Sequence, residues 1–433
     1  MTQCGHSDLG TGNLAPGTFQ ASWSETCANW CRLRPGEFGN AAKERPAVRE
    51  HNIAVIAGDG IGKEVVPVGC RVLQAAEQAI GGFHLIYDHF PWGCEYYEKT
   101  GRMMDADGLD RLVHFDAIYL GAVGWPTVPD HISLWGLLLP IRQTFNQYAN
   151  LRPIRLLPGL RTPLRGKNNS EIDMVCVREN VEGEYAGVGW RYRRGRPDEI
   201  VHQVGVFTRC GVERVMRYAF ELARRRPARR LTSATKSNAL QYSMVFWDEV
   251  FRQLAAEYPE VTTETSHVDA LAARMVTHPE TLDVIVGSNL FGDILTDLGG
   301  ALQGSLGIAA SANLNPEGEY PSMFESVHGS APDIAGQDRA NPVASIWAGA
   351  LMLESLGEVD AAALVMAALE RVLAEGEVRT ADLGGRNSTE EVGNAIVRAA
   401  LKLGNVLPKP RAMGYIQPIK PQRTRKTQAG TGT

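Results

Sequence analysis

An α/β fold built on a largely parallel sheet is what the sequence predicts, from three observations. Short apolar runs alternate with amphipathic stretches of helical period from His51 to Leu403, glycines close several of those runs, and 44% of the 433 residues are apolar. The run Ile53-Ala54-Val55-Ile56-Ala57 has strand length and ends in glycines. Residues 63–80 carry helical spacing with Pro67 in the first turn, where a missing N–H is tolerated. Further strands read at 83–87, 117–120, 174–177, 204–207, 231–234 and 284–286, and helices near 212–225, 242–257, 268–276, 341–356 and 389–403. A chain of this length is expected to form about two domains.

Composition excludes several classes. The longest apolar stretches, 135–141 and 361–369, fall short of the roughly 20 residues that span a bilayer, so no membrane partner is expected. Against 44 basic residues stand 49 acidic ones, a net charge of -5 that offers no global footprint for nucleic acid. Residues 405–433 are the exception, with six basic residues, no acid and four prolines. They read as a solvated, disordered tail, with a weak anion-binding arm as the sharper alternative. Residues 1–50 balance five acids against five bases and read as a disordered extension.

Seven cysteines is an odd number. Cys70, Cys94, Cys176 and Cys210 sit singly in apolar or helical surroundings and are expected to be buried reduced thiols. Cys27 and Cys31 have no second ligand pair at zinc-site spacing, so no metal is expected there. Without a secretory apolar region the cytoplasm is the expected location.

Gly58-Asp59-Gly60-Ile61-Gly62-Lys63 stands between a strand and a helix like a dinucleotide fingerprint, but its spacing is one residue short. Tight strand-to-helix packing explains it equally well, and no pyrophosphate is placed there.

Candidate chemistry lies downstream. Asp293 and Asp297 are four apart, so on a helix their carboxylates share a face. Like charges so placed cost a few tenths of a kcal/mol unless a cation lies between them. Mg²⁺ or Mn²⁺ would suit such hard oxygen ligands, and a helix start decorated with acids is the structural alternative. Arg142 and Arg152 flank 143–151, and Arg178 ends the apolar strand 174–177, where a fork of donors suits a carboxylate. An ordinary ion pair of Arg178 with Glu179 or Glu182 is the alternative. Lys236 could act as a base if burial lowered its pKa, and Tyr185 as an acid.

These segments resemble the isocitrate and 3-isopropylmalate dehydrogenase superfamily. The matching runs are A-G-D-G-I-G-K-E (57–64), G-A-V-G-W-P (121–126), S-L-W-G-L-L-L-P-I-R-Q (133–143), N-Q-Y-A-N-L-R-P (146–153), V-R-E-N-V-E-G-E-Y (177–185), S-A-T-K-S-N (233–238), S-N-L-F-G-D-I-L-T-D (288–297) and V-H-G-S-A-P-D-I-A-G (327–336). G-W-P, S-L-W-G and S-A-N-L-N-P-E (311–317) are similar to the tartrate dehydrogenase/decarboxylase and D-malate dehydrogenase branch. Ser326 replaces the usual proline before V-H-G, Gly299-Gly300-Ala301 is a local departure, and both termini extend past the family's span.

The resemblance implies an isopropylmalate dehydrogenase-like fold of two α/β domains with a cleft between them. The first, cofactor-side domain would take 51–147 and 305–404; the second, with the dimer contact and metal site, 148–304. It implies metal ligands Asp269, Asp293 and Asp297, and Arg142, Arg152 and Arg178 on the substrate carboxylates. Lys236 would be the base and Tyr185 the proton donor. Lys236 and Asp269 would enter from the neighbouring subunit of a homodimer. NAD would lie on His328, Gly329, Ser330, Ala331, Asp333 and Asn341, with Asn238 and Asn289 near its nicotinamide and phosphates. The carboxylate of Asp333 favours NAD over NADP. A monovalent cation such as K⁺ is left open.

By the resemblance, Ser133 and Trp135 would occupy the segment where family members read the C3 substituent, and a bulky ring there is expected to shrink the pocket toward D-malate or tartrate, with 3-isopropylmalate as the runner-up. The activity implied is oxidative decarboxylation of a small 2-hydroxy dicarboxylate. A reading of another class, nucleic-acid binding on a dehydrogenase fold, would use 224–230, 191–196 and the basic tail; the first cluster also reads as cations at a helix C-terminus.

Overall fold

The computed structural model of the chain describes residues 48–404 and 413–417. Strands follow as β1 (Arg49–Gly58), β2 (Phe83–His89), β3 (Ala117–Ala122), β4 (Ala149–Arg155), β5 (Asp173–Glu179), β6 (Gly183–Tyr192), β7 (Ile200–Val206), β8 (Arg230–Thr235), β9 (Thr262–His267), β10 (Val284–Gly287), β11 (Ala310–Leu314) and β12 (Ser322–Ser326). All but β6 and β7 join one sheet in the order β2-β1-β3-β12-β11-β4-β5-β10-β8-β9. The strand expected at 204–207 is β7, which pairs with β6 in a separate antiparallel ribbon instead.

The sheet is largely parallel, as expected, with an antiparallel centre. Parallel pairs run from β2 to β12 on one side and from β5 to β9 on the other. Antiparallel β11 and β4 join these halves. The connection from β11 to β12 is short and turns at Gly318 (φ +72°), and a short turn returns the chain antiparallel.

Both faces of the sheet are covered, as strands with near-continuous apolar runs require. Ile53 and Val55 enter one core with the helices Gly62–Ile80, Arg209–Arg225, Val343–Ser355 and Val359–Glu375. Ala54 and Ile56 turn to the other face, with Trp92, Leu137 and Ile141. Beneath β4 and β5 on that second face, Ile154, Met174 and Cys176 pack with Leu271 and Leu295.

Several boundaries move. β1 begins at Arg49, inside the expected extension, because Arg49 pairs with Phe83 of β2. Residues 413–417 are not a solvated tail: Tyr415 and Ile416 are buried in the main core. Cys70, Cys94 and Cys176 are buried free thiols, whereas Cys210 is exposed at the start of its helix. Cys4, Cys27 and Cys31 and most of the basic tail lie outside the described residues. Among those described, no helix is long and apolar enough to cross a membrane.

Candidate active site

In the antiparallel pair β4–β5, Asn150 lies opposite Arg178 and Arg152 opposite Cys176. Directly opposed residues, and residues two apart, share a face, so Arg152 and Arg178 point the same way. Arg142 approaches from the helix Leu139–Thr144. With Tyr185, Asp293, Glu325 and His328 they line a cavity of ≈ 250 Å³. Burial pushes the His328 imidazole below its ordinary pKa and keeps it neutral. Three guanidiniums against two carboxylates leave the lining one positive charge in excess, which suits a small polyanion.

Each arginine is held differently. Arg142 donates to Glu325 at 2.6 Å, both groups buried. Arg178 donates to the Asn289 side-chain oxygen, from Nη2 at 2.7 Å and Nε at 3.1 Å, and pairs with Asp293 rather than with Glu179 or Glu182. Burial and the neighbouring Arg152 charge push Arg178 below its ordinary pKa. Arg152 lies 3.6 Å from Asp293 and 3.7 Å from Asp297. It is the cation that the i, i+4 aspartates require.

Those aspartates ride on the helix Asn289–Leu302, capped by the Ser288 side chain, which accepts from the Phe291 N–H. Gly292 lets the helix approach β5, since a Cβ there would stand 2.5 Å from the Cβ of Arg178. Burial works to raise the Asp293 carboxyl, but Arg178 and Arg152 outweigh it and hold it below the usual range. Asp297 is raised by burial and by the charge of Asp293. The Tyr185 hydroxyl, on β6, donates to Asp293 at 3.0 Å. Burial and that charge raise its pKa.

Lys236 and Asp269 do not join this cavity. Lys236 follows β8, Asp269 opens the helix Val268–Thr277 after β9, and the two pair with each other at 2.7 Å. Among the described residues no group of three His, Cys, Asp or Glu could hold a metal ion within one chain.

Ser133 and Trp135 also fall outside the cavity lining. Ser133 is buried and donates to the Asp130 carbonyl at 3.0 Å. Trp135 occupies a π-helical turn (Leu134–Leu138), seats against Gly187, and lines an adjoining open cleft. The apolar wall of the arginine cavity comes instead from Leu134, Leu138 and Leu139. The Trp135 ring thus lies in the cleft beside this cavity, which shares Tyr185, Leu134 and Leu139 with it.

The expected cofactor residues separate into groups. His328 and Gly329 reach the cavity, and the His328 Nε2 is buried without a partner. Ser330 is buried, while Asp333 and Asn238 are exposed. Ala331 takes a positive φ of +42°. Asn341 donates to Asp382 at 2.9 Å, and Asn289 serves Arg178 while donating to the Glu182 carbonyl at 3.0 Å. The glycine-rich turn is closely packed. Gly60 lies against the Ser330 backbone, and Asp59 accepts from the Cys94 and Gly124 N–H groups at 2.7 and 2.9 Å.

Glu325 is the charged cavity residue that the sequence does not single out. Its one signal was a lone acid in β12, beside Met323 and Phe324 and two residues before V-H-G. The basic clusters are met by acids: Arg224 by Glu221, Arg226 by Asp173 and Asp283, Arg191 by Glu199, Arg193 and Arg196 by Asp198.

Residues 52–396 match the family model of isocitrate/isopropylmalate dehydrogenase. The chain is 54% identical over 352 residues to a probable tartrate dehydrogenase/decarboxylase of Agrobacterium vitis, covering 81% of this chain and 98% of that protein. It is 55% identical over 357 residues to the decarboxylating D-malate dehydrogenase of Escherichia coli strain K12, covering 81% and 98%. Among solved structures, isocitrate dehydrogenase from Methylococcus capsulatus superposes with a TM-score of 0.74 at 36% identity, over 81% of this chain and 99% of that one.

Proposed function

Because the chain belongs to the isocitrate/isopropylmalate dehydrogenase family, we propose that it performs NAD- and divalent-metal-dependent oxidative decarboxylation of a small 2-hydroxy dicarboxylate. D-malate, giving pyruvate and carbon dioxide, is the first candidate and tartrate the second. The observation that carries this reading is the small cavity in which Arg142, Arg152 and Arg178 converge with Tyr185 and Asp293. The names of the relatives support the same substrate class.

Asp293 and Asp297 supply hard oxygens on one helix face, a donor set that fits Mn²⁺ or Mg²⁺ once a further acid is added. Asp269 of a second copy would be that acid, so the active form is a homodimer with shared sites. We divide the chain accordingly into a cofactor-side domain, 51–147 with 305–404, and a metal-side domain, 148–304. The unpartnered His328 Nε2 and the exposed Asp333 carboxylate fit the polar adenosine half of NAD.

Bound together, the ion would polarise the C2 oxygen and NAD would accept the C2 hydride. The three arginines bind and orient the carboxylates. Lys236 of the second copy takes the C2 hydroxyl proton. As carbon dioxide leaves, the electron pair of its bond passes to the enolate, and Tyr185 delivers its hydroxyl proton to C3.

The wall of Leu134, Leu138 and Leu139 favours a second reading, 3-isopropylmalate, whose branched apolar substituent would pack there. NAD reduction with Mn²⁺, compared across D-malate, L-malate, both chiral tartrates, meso-tartrate, 3-isopropylmalate and isocitrate, separates the two. The highest kcat/KM is expected with D-malate or a tartrate. A clear preference for 3-isopropylmalate would replace the first reading with the second, and no reduction with any would remove both.

A further inference from the structure

The glycine-rich turn is not part of the arginine cavity, yet it and the helix it opens hold one distant segment, residues 330–340. Ile61 donates its backbone N–H to the Ser330 carbonyl at 2.9 Å. Its side chain packs with Val65 and Ala340, against Ala331, Ile334 and Ala335. Gly60 has a φ of +51°, and a Cβ there would strike the Ser330 carbonyl oxygen, so only glycine permits this approach.

Glu64 makes the strongest link. Its Oε1 accepts the Gly336 N–H at 2.7 Å and its Oε2 the Asp338 N–H at 2.8 Å. Both of those residues hold positive φ, +77° and +53°. For Asp338 that conformation persists only where its surroundings over-determine it. A second tether lies on the far side, where the Asp338 carbonyl and carboxylate accept the Thr389 and Glu390 N–H groups, each at 3.0 Å.

We propose that Glu64 is a positioning residue for the cofactor, fixing the 333–338 turn in the shape that presents Ser330 and Asp333 to NAD. This rests on the reading of 328–341 as the NAD loop. One carboxylate bridging two amides makes two charge-assisted hydrogen bonds, and a loop ordered beforehand loses less entropy when its ligand arrives. Charge alone acts the other way. Removing an anion near a diphosphate would tighten binding by Coulomb's law, whereas releasing the turn weakens it. The sign of the change therefore separates the two effects.

Glu64→Gln keeps the shape but turns an NH₂ toward one amide donor, and Glu64→Ala removes both acceptors. The full-length protein is titrated with NAD by calorimetry, and amide hydrogen exchange is followed across 330–340 without NAD. Asp333→Ala serves as the control for the loop assignment. Glu64→Gln is expected to quicken exchange at Gly336 and Asp338 and to raise the NAD Kd about tenfold, with kcat and the dicarboxylate KM within about twofold. Glu64→Ala is expected to exceed it, and Asp333→Ala to weaken NAD without quickening exchange. Unchanged exchange in both Glu64 variants would remove the anchor. Quickened exchange with unchanged or tighter NAD binding, while Asp333→Ala still weakens it, would overturn the positioning role and leave the loop assignment standing. If Asp333→Ala leaves NAD affinity unchanged, the loop assignment fails and the role of Glu64 falls with it.

Discussion

The hydroxyl of Tyr185 donates to the carboxylate of Asp293 at 3.0 Å, and the other oxygen of that carboxylate is paired with Arg178. The group assigned to protonate C3 is thus held by a group assigned to the metal. Burial and the Asp293 charge keep the tyrosine protonated well into the alkaline range, so at neutral pH it is a donor.

Tyr185 and Lys236 are expected to serve different steps. Tyr185→Phe should leave hydride transfer, seen as a first-turnover burst of NADH, and slow later turnover on the order of 10²- to 10⁴-fold. Lys236→Ala should abolish the burst yet retain decarboxylation of added oxaloacetate. Equal loss of oxaloacetate decarboxylation in the two variants would contradict the division.

Gly292→Ala tests the packing under Arg178. A Cβ 2.5 Å from the Arg178 Cβ cannot be accommodated without a shift of the helix that carries Asp293 and Asp297. Overpacking of this kind costs about 1–3 kcal/mol. A lowered Tm and a raised dicarboxylate KM are expected, and an unchanged KM would show that the close approach is dispensable.

Part of this site was legible in the sequence for simple reasons. Asp293 and Asp297 at helical spacing demand a neighbouring cation, and Arg152 is in place between them. Arg178 stood out because an apolar strand ended in a fork of donors. Glu325 did not stand out, since its partner Arg142 lies 183 residues away and only the fold joins them. The antiparallel strands β4 and β11 were equally hidden, since polar Asn150, Arg152, Ser311 and Asn313 break up their apolar residues and neither reads as a strand. The β6–β7 ribbon is largely exposed and lacks the one-sided burial that makes a strand readable, so β6 was missed and β7 showed only its end at 204–207. In the basic tail, Tyr415 and Ile416 are too short an apolar run to stand out, yet they are buried in the main core, with Met413 packed against it.

That docking carries a pH dependence. Glu354 is buried in the helix Val343–Ser355 and accepts the Gly414 and Ile416 N–H groups at 2.6 and 3.2 Å. Burial pushes its carboxyl up to about 7, against the partial opposition of those bonds. An acid raised in the folded state contributes stability below its unfolded pKa, near 4.5, and loses it as pH rises toward 7. Between pH 4.5 and 7.5 the unfolding free energy of Glu354→Gln is expected to gain on that of the parent protein by about 3 kcal/mol, seen as a Tm that rises relative to the parent's. A constant Tm difference across that range would show that Glu354 does not titrate with folding.

Carbon dioxide and NADH, counted together from D-malate and NAD before and after exhaustive chelation, test the proposed chemistry most directly. One carbon dioxide per NADH is expected, with both products lost on chelation and restored together by Mn²⁺. Turnover that survives chelation, or NADH formed without carbon dioxide, would contradict it.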